Sequence, residues 1–430
     1  MKIVYLTAGA AGMYCGSCMH DNALAKALGR RGHDCMLVPV YTPIRTDELD
    51  ASVDQVFLGG INLYLQQRIP WLAYLPPWLD GLLNRPGLIR RLTANIGTTD
   101  LRFLGALTVS MLRGMEGNQR KEVARLCDWL VDQIRPDRLI LTNVLIGGCL
   151  PELKRRLGVP VWVTLQGDDI FLDSLPTPYR DQALEAIRRL IPHIDGFVVH
   201  SCYYRDRMSA MLNIPASRTH VTPLAIETQD FQPSLTDSTP AIALQAEPTV
   251  GYLARLAPEK GLHHLVDAFV QLHREHPGHL ARLRIAGWLG PQNRGYWDEQ
   301  QSKLTAAGLH DRWDYVGEVD RPGKVRFLRS IDLLCVPTTY QEPKGRYVLE
   351  AIASGVPYLQ PDHGAFPELH ARLGMGSLFP AKEMGRLGSW LHEELEQRAS
   401  RLPERVSRLA PLRAEIDIDR LAERTLQWLE

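Results

Sequence analysis

Ile331-Asp332-Leu333-Leu334-Cys335-Val336-Pro337 opens the stretch that decides the fold, and Gln341-Glu342-Pro343-Lys344-Gly345-Arg346-Tyr347-Val348-Leu349-Glu350-Ala351-Ile352-Ala353-Ser354-Gly355-Val356-Pro357 completes it. The apolar run from Ile331 to Val336 predicts a buried strand that stops at Pro337. Val348 to Ala353 are good helix formers, halted by Gly355-Val356-Pro357. A strand, a glycine-containing loop and a helix set backbone N–H groups and a helix N-terminus at the carboxyl edge of a sheet, which favours an anion. Glu342 is expected in the loop. Glu350 is expected about two turns into the helix, on the side of its first turn. One carboxylate near the mouth and one behind it suit a ligand with an anionic middle and hydroxyls at both ends. A nucleotide sugar has that shape. Paired glutamates also arise on solvated helix faces; the strand-loop-helix setting is what favours a site.

Upstream, Gly251-Tyr252-Leu253-Ala254-Arg255-Leu256-Ala257-Pro258-Glu259-Lys260-Gly261 follows another apolar strand. Arg255 and Lys260 are expected to project from the loop beyond it. Breaking a sugar–diphosphate bond leaves an anionic group whose growing charge a metal or fixed cations must neutralise. No stretch reads as a dedicated metal cage, so no metal and no separate cofactor is expected. Arg255, which can fork onto two oxygens, and Lys260, a point charge, are the expected cations.

The same strand–helix rhythm runs through the chain. Ile3 to Thr7, Cys35 to Val40, Leu139 to Thr142, Val161 to Leu165, Phe197 to His200 and His220 to Pro223 read as strands of a first half. A second series begins at Thr249, with strands at 250–253, 283–286, 313–316, 331–336 and 358–360. Alternating strands and helices imply parallel sheets, so the fold class is α/β with two Rossmann-like domains facing each other across a cleft. Residues 1–228 form the first expected domain, 229–248 a linker, and 249–410 the second domain. Residues 411–430 are expected to end in a helix, Ile418 to Leu429, that crosses back to the first domain. The stretch 61–117 carries Tyr64, Trp71, Tyr74 and Trp78 among many leucines and prolines. It reads as an irregular packed subdomain or as an apolar lip for a lipid-linked acceptor or a membrane surface.

With 49 basic and 49 acidic residues among 430, the formal net charge is zero and gives no electrostatic reason to expect nucleic acid. The first residues enter a strand directly instead of forming a leader, and no apolar run is long enough to span a bilayer. Seven scattered cysteines fit reduced thiols. A cytoplasmic chain, with membrane association left open by the 61–117 stretch, is the expectation. Cys15-Gly16-Ser17-Cys18 sits where a thioredoxin-like pair would, between a strand and a helix. The simpler reading is that small residues are needed where the chain turns close to a ligand.

Arg255 through Gly261, Glu342 through Glu350, and Gly364-Ala365-Phe366-Pro367-Glu368 together resemble the retaining glycosyltransferases of family 4. The early glycine turn and Pro223-Leu224-Ala225-Ile226-Glu227 match more loosely. The resemblance implies a GT-B fold and metal-independent, retaining transfer of a hexose-type sugar from a nucleoside-diphosphate sugar to a hydroxyl acceptor. It implies that Arg255 and Lys260 hold the diphosphate, that Glu342 contacts the donor sugar and that Glu350 binds the ribose hydroxyls. It further implies that backbone groups at Gly345, Arg346 and Tyr347 cradle the phosphate or sugar, and that Gly12 and Gly16 let the first domain approach the donor. Gln166 stands where relatives commonly carry a sugar-contacting His; Gln can hydrogen-bond but cannot carry a proton. Asp168 and Asp169 are candidate acceptor contacts. Lys344 and Arg346 depart from the usual aromatic and aliphatic residues, adding cations near the diphosphate. The rival readings are a sugar-nucleotide epimerase or hydrolase, a non-catalytic binder, and a thiol oxidoreductase using Cys15 and Cys18.

Overall fold

The structure, a computed structural model, describes residues 1–9, 15–53, 56, 67, 101–232, 242 and 244–429. Among these residues two parallel sheets form, each of six strands. The first comprises β1 (Lys2–Thr7), β2 (Asp34–Pro39), β3 (Arg138–Leu141), β4 (Val161–Thr164), β5 (Gly196–Val199) and β6 (Thr219–Val221), in the order β2-β1-β3-β4-β5-β6. The second comprises β7 (Thr249–Leu253), β8 (Arg282–Ala286), β9 (Trp313–Tyr315), β10 (Leu333–Cys335), β11 (Tyr358–Pro361) and β12 (Gly376–Phe379), in the order β12-β11-β10-β7-β8-β9. The central strands are buried on both faces, which is why their sequences are continuous apolar runs without alternation.

Contacts divide the chain into two compact units: Met1–His200 with Arg205–Thr222 and Thr425–Glu430, and Ser201–Tyr204 with Pro223–Arg424. The changeover at Thr222 precedes the boundary expected at 228. The reason lies in 223–231, which packs into the second core: Ile226 pairs with Asp417, the buried Phe231 ring lies 4.4 Å from the Arg321 guanidinium, and Arg321 donates to the Glu227 carbonyl. Of the expected linker, residues 233–241 and 243 lie outside the described residues. The helix Ile418–Leu429 forms where its periodicity places it. Its last turn counts with the first unit, where the Trp428 ring lies tilted 4.3 Å from that of Trp162 and the Leu429 carbonyl accepts from Arg138.

Most of the aromatic stretch 61–117 lies outside the described residues; its end, Leu101–Leu112, is a helix packed against the helix Tyr179–Leu190. No helix among the described residues is long and apolar enough to cross a membrane. The α-helix Arg120–Asp128 is followed by Trp129–Ile134, which widens into a π-turn closed by Arg135 at φ 53°. The strand expected over 331–336 is shortened because Asp332 turns its buried carboxylate to the amides of Gln245 and Thr249. β12 has no counterpart in the sequence reading. It starts at Gly376, where a Cβ would meet the Tyr358 carbonyl oxygen at 2.3 Å, so the strand pairs there only as glycine.

One glycine fixes the two loops described next. Gly261 adopts φ +74°, and a Cβ there would lie 1.7 Å from the Pro337 carbonyl oxygen. Gly261→Ala is therefore expected to destabilise the fold by at least about 2 kcal/mol, from left-handed strain and the backbone clash combined. Urea titration checks this; an unchanged midpoint would mean that the loops can part freely.

Candidate functional site

In the second sheet β7 and β10 are neighbours, while the strands that follow each run to opposite sides. This is the topological switch point, where ligands bind beyond the carboxyl ends of parallel strands. The loop after β7 carries Arg255 and Lys260, and the loop after β10 carries Tyr340, Glu342 and Gly345. The two loops are tied directly, since Thr339 N–H donates to the Glu259 carbonyl at 3.0 Å.

Lys260 and Glu342, 82 positions apart in the chain, form the centre. The ammonium lies 2.9 Å from the Glu342 carboxylate, with the side chains 13% and 6% exposed. Tyr340 donates its hydroxyl to the same carboxylate oxygen at 2.6 Å and also hydrogen-bonds Lys260. The other carboxylate oxygen accepts the Gly345 N–H at 3.3 Å. Gly345, at φ 63°, is the residue that turns the loop into the helix Arg346–Ala353. The ring of Tyr347 lies 5.5 Å from the ammonium. Burial alone would raise the pKa of Glu342; the Lys260 charge and the hydrogen bonds from Tyr340, Lys260 and Gly345 outweigh it and hold the carboxyl at about 2.

A depressed carboxyl pKa adds stability that is complete above the unfolded value near 4.5 and is lost as the pH falls toward about 2. Lowering the pH from 5 to 3 is therefore expected to destabilise the wild type more than Glu342→Gln, by on the order of 2 kcal/mol. Denaturant midpoints at both pH values measure the difference; parallel losses in the two proteins would remove the ion pair as the cause.

Glu350 lies one turn into its helix, not two, because the helix begins at Arg346, only four residues before it. The Arg346 Nε donates to the Glu350 carboxylate at 3.1 Å. Lys324, from the helix Arg321–Arg329, reaches the same oxygen at 2.9 Å. All three side chains are buried. Arg346, expected to add a cation near the diphosphate, has its guanidinium buried against Glu350. Lys324 was not singled out from the sequence, since only the tertiary fold brings its helix beside Glu350. Arg255 is half exposed and paired with Glu259 at 3.2 Å, while its carbonyl accepts from the buried Tyr252 hydroxyl at 2.9 Å.

In the first unit, β1 and β3 meet at the corresponding switch point. Asp21, absent from the sequence expectations, is the buried hub of that edge. It accepts from Tyr5 at 2.7 Å, Thr7 at 3.0 Å and the Gln166 amide at 3.0 Å, and also hydrogen-bonds Thr142. Burial pushes its pKa up despite these donors. The only prior sign of it was an acid inside an otherwise apolar helix face, Gly16–Arg30. Gln166 thus sits at the edge as expected, with its amide nitrogen held by Asp21 and Thr142.

Asp168 does not present a free carboxylate. Its oxygens accept the N–H groups of Val144 and Gln166, both at 2.9 Å, and burial pushes its pKa up to about 6. Asp169 pairs with Arg207 at 3.4 Å. Gly12 lies outside the described residues. Gly16 is the first residue of its helix, where a Cβ would meet no described protein atom within 4 Å. The demanding position is Gly9, at φ +94°, where a Cβ would sit 1.9 Å from the Thr42 carbonyl oxygen. Cys18 is buried, and its hydrogen bond with Cys15 together with that burial pushes its pKa up. A nucleophilic redox cysteine needs the opposite shift.

Among the described residues one group has metal-ligating types in reach of one another: His279, His392 and Glu396, with donor atoms within 4.8 Å. The Ala281 N–H donates to His279 Nδ1, which leaves the ring proton on Nε2, the nitrogen nearest Glu396. That tautomer does not offer Nε2 to a metal.

Comparison with known proteins sets two family models on the chain. Residues 21–225 match the glycosyl transferase 4-like domain, and residues 239–408 match glycosyl transferases group 1. A phosphatidyl-myo-inositol mannosyltransferase of Mycobacterium leprae is 33% identical over 149 residues, covering 33% of this chain and 36% of the relative. The lipopolysaccharide core biosynthesis mannosyltransferase LpsB of Rhizobium meliloti is 31% identical over 183 residues, covering 42% and 49%. The matches thus span half or less of these curated relatives. Sucrose-phosphate synthase from Thermosynechococcus elongatus superposes with a TM-score of 0.69 at 16% identity, covering 100% of this chain and 98% of that one. Anabaena HepE in complex with UDP gives 0.67 at 16% identity, covering 100% and 99%. At such identities these structures establish the fold alone.

Proposed function

From the premise that this chain belongs to the GT-B glycosyltransferases of the family 4 type, we propose that it moves a hexose from a nucleoside-diphosphate sugar to a hydroxyl acceptor, with retained configuration and without a divalent metal. The observation that carries the reading is the Lys260–Glu342–Tyr340 cluster at the switch point of the second sheet. Lys260 meets the diphosphate. Its ammonium has three donors, and Glu342 and Tyr340 take two of them, which leaves one for a phosphate oxygen. Arg255, half exposed beside it, exchanges Glu259 for the phosphates. The Glu342 carboxylate, ionised at neutral pH, accepts from hydroxyls of the donor sugar, while Glu350 takes the ribose. As the sugar–oxygen bond breaks, the leaving group gains charge beside a cation whose position folding has already set. In the first unit, Gln166 contributes a hydrogen bond and no proton transfer.

The mannosyltransferase relatives are named for inositol-lipid and lipopolysaccharide acceptors, which supports a lipid-bearing hydroxyl as the acceptor class. Likeness to a UDP-binding structure makes UDP-sugars one arm of the test and GDP-sugars, for mannose, another. The test is thermal stabilisation by UDP-, GDP- and ADP-sugars with and without EDTA, since a bound donor raises Tm by mass action. One donor is expected to stabilise the chain equally in EDTA. Arg255→Ala should weaken the matching nucleoside diphosphate by about 1.5–3 kcal/mol in calorimetry. Stabilisation abolished by EDTA would overturn the metal-free reading, and no stabilisation by any donor would overturn the reading as a whole.

A further inference from the structure

A polar cavity of about 230 Å³ lies in the same unit, away from the loops of Lys260 and Glu342. Pro357, immediately before β11, and Gly374 and Met375, immediately before β12, line it. It therefore opens at the amino ends of parallel strands, the edge opposite to that of Lys260 and Glu342. The facing wall is the helix Leu402–Glu415, which contributes Arg405 and Arg408, with Arg401 directly ahead of it. Positions 401, 405 and 408 follow helical spacing and fall on one face.

Three arginines line this wall: Arg401 is ion-paired with Glu394 and Arg408 with Glu404, which leaves the charge of Arg405 opposed only by Asp332. Arg408 is fixed by the carbonyls of Gly374 and Leu373, both at 2.7 Å, which close the end of the helix Phe366–Leu373. Arg405 is only 6% exposed, with Nε and Nη2 both on the Gly355 carbonyl and Nη1 without a hydrogen-bond partner. Burial lowers its pKa, and the nearby Asp332 only partly opposes this. A buried guanidinium with a spare donor is costly unless an anion or ordered water completes it.

We propose that this cavity is a separate binding site for a small phosphoryl anion, held by Arg401, Arg405 and Arg408. Guanidinium forks match phosphate oxygens. Sites for drug-sized ligands run from roughly 300 Å³ upward, so 230 Å³ is too small for a nucleotide sugar and suits a phosphate or a small phosphomonoester. Its place at the opposite edge makes it non-competitive with the site of Lys260.

Calorimetry of the full chain at fixed ionic strength tests the proposal, with inorganic phosphate and glucose 6-phosphate as probes. A saturable site is expected that Arg255→Ala leaves unchanged and Arg401→Gln weakens by about tenfold or more, the scale of one charge-assisted hydrogen bond. Arg401 bonds to Glu394 and Gln397 and to no backbone carbonyl, so its replacement spares the fold that Arg405 helps to hold. Tighter binding of glucose 6-phosphate than of phosphate assigns the site to an ester; equal binding assigns it to the free ion. Binding that Arg255→Ala abolishes, equal affinity in Arg401→Gln and the wild type, or no saturable binding at all would each overturn the proposal.

Discussion

Glu342→Ala is expected to lower kcat by about 10²–10³-fold, the scale seen when one preorganised group facing a developing charge is removed. The loss should appear in transfer and leave nucleoside-diphosphate affinity within about threefold, because the proposed function gives the pyrophosphate contacts to Lys260 and Arg255. Steady-state kinetics with the identified donor, alongside calorimetry with the nucleoside diphosphate, separates the two effects. Unchanged kcat would remove Glu342 from the sugar side of the site. A parallel fall in diphosphate affinity would show instead that its main duty is to position Lys260, which it holds at 2.9 Å.

Lys260→Ala is expected to do more damage and of two kinds. It leaves the Glu342 carboxylate, 6% exposed, with the Tyr340 hydroxyl and the Gly345 amide but without its cation. Removing one partner of a buried pair typically costs about 3–5 kcal/mol of stability. Transfer should become undetectable, since the leaving group also loses its fixed positive charge. The double substitution Lys260→Met with Glu342→Gln separates the two. It removes both charges together, so most of the stability should return while activity does not. If the double variant stays as unstable as Lys260→Ala, the destabilisation comes from lost packing against Tyr340 and Tyr347 and not from an orphaned charge.

The strands were legible because a parallel sheet buried on both faces writes itself as short apolar runs, and Val250 to Leu253 or Val161 to Thr164 are such runs. β12 was hidden because Gly376-Ser377-Leu378-Phe379 has two small residues at its start, and its place follows from room beside Tyr358. Arg255, Lys260 and Glu342 could be singled out because they fall in loops just past strand ends, where spacing is local. Asp21 points inward from a helix face that otherwise reads as core, and Lys324 enters its cluster from a neighbouring helix, so neither was legible; Tyr340 lies in the loop of Glu342 itself, and only its hydroxyl contact with that carboxylate marks it. Sequence marks a glycine but not the backbone it must clear, and the described structure places such backbone at Gly9 and Gly261.

Gly261 rests its backbone on the Pro337 carbonyl, and the Thr339 amide is bonded to Glu259. The two segments that supply the ammonium and the carboxylate therefore cannot drift apart while β7 and β10 remain paired. The work of aligning these dipoles is done once, when the chain folds, and is not repeated with each catalytic cycle. Selection for a different sugar would then be free to alter other residues of these loops while leaving this floor untouched.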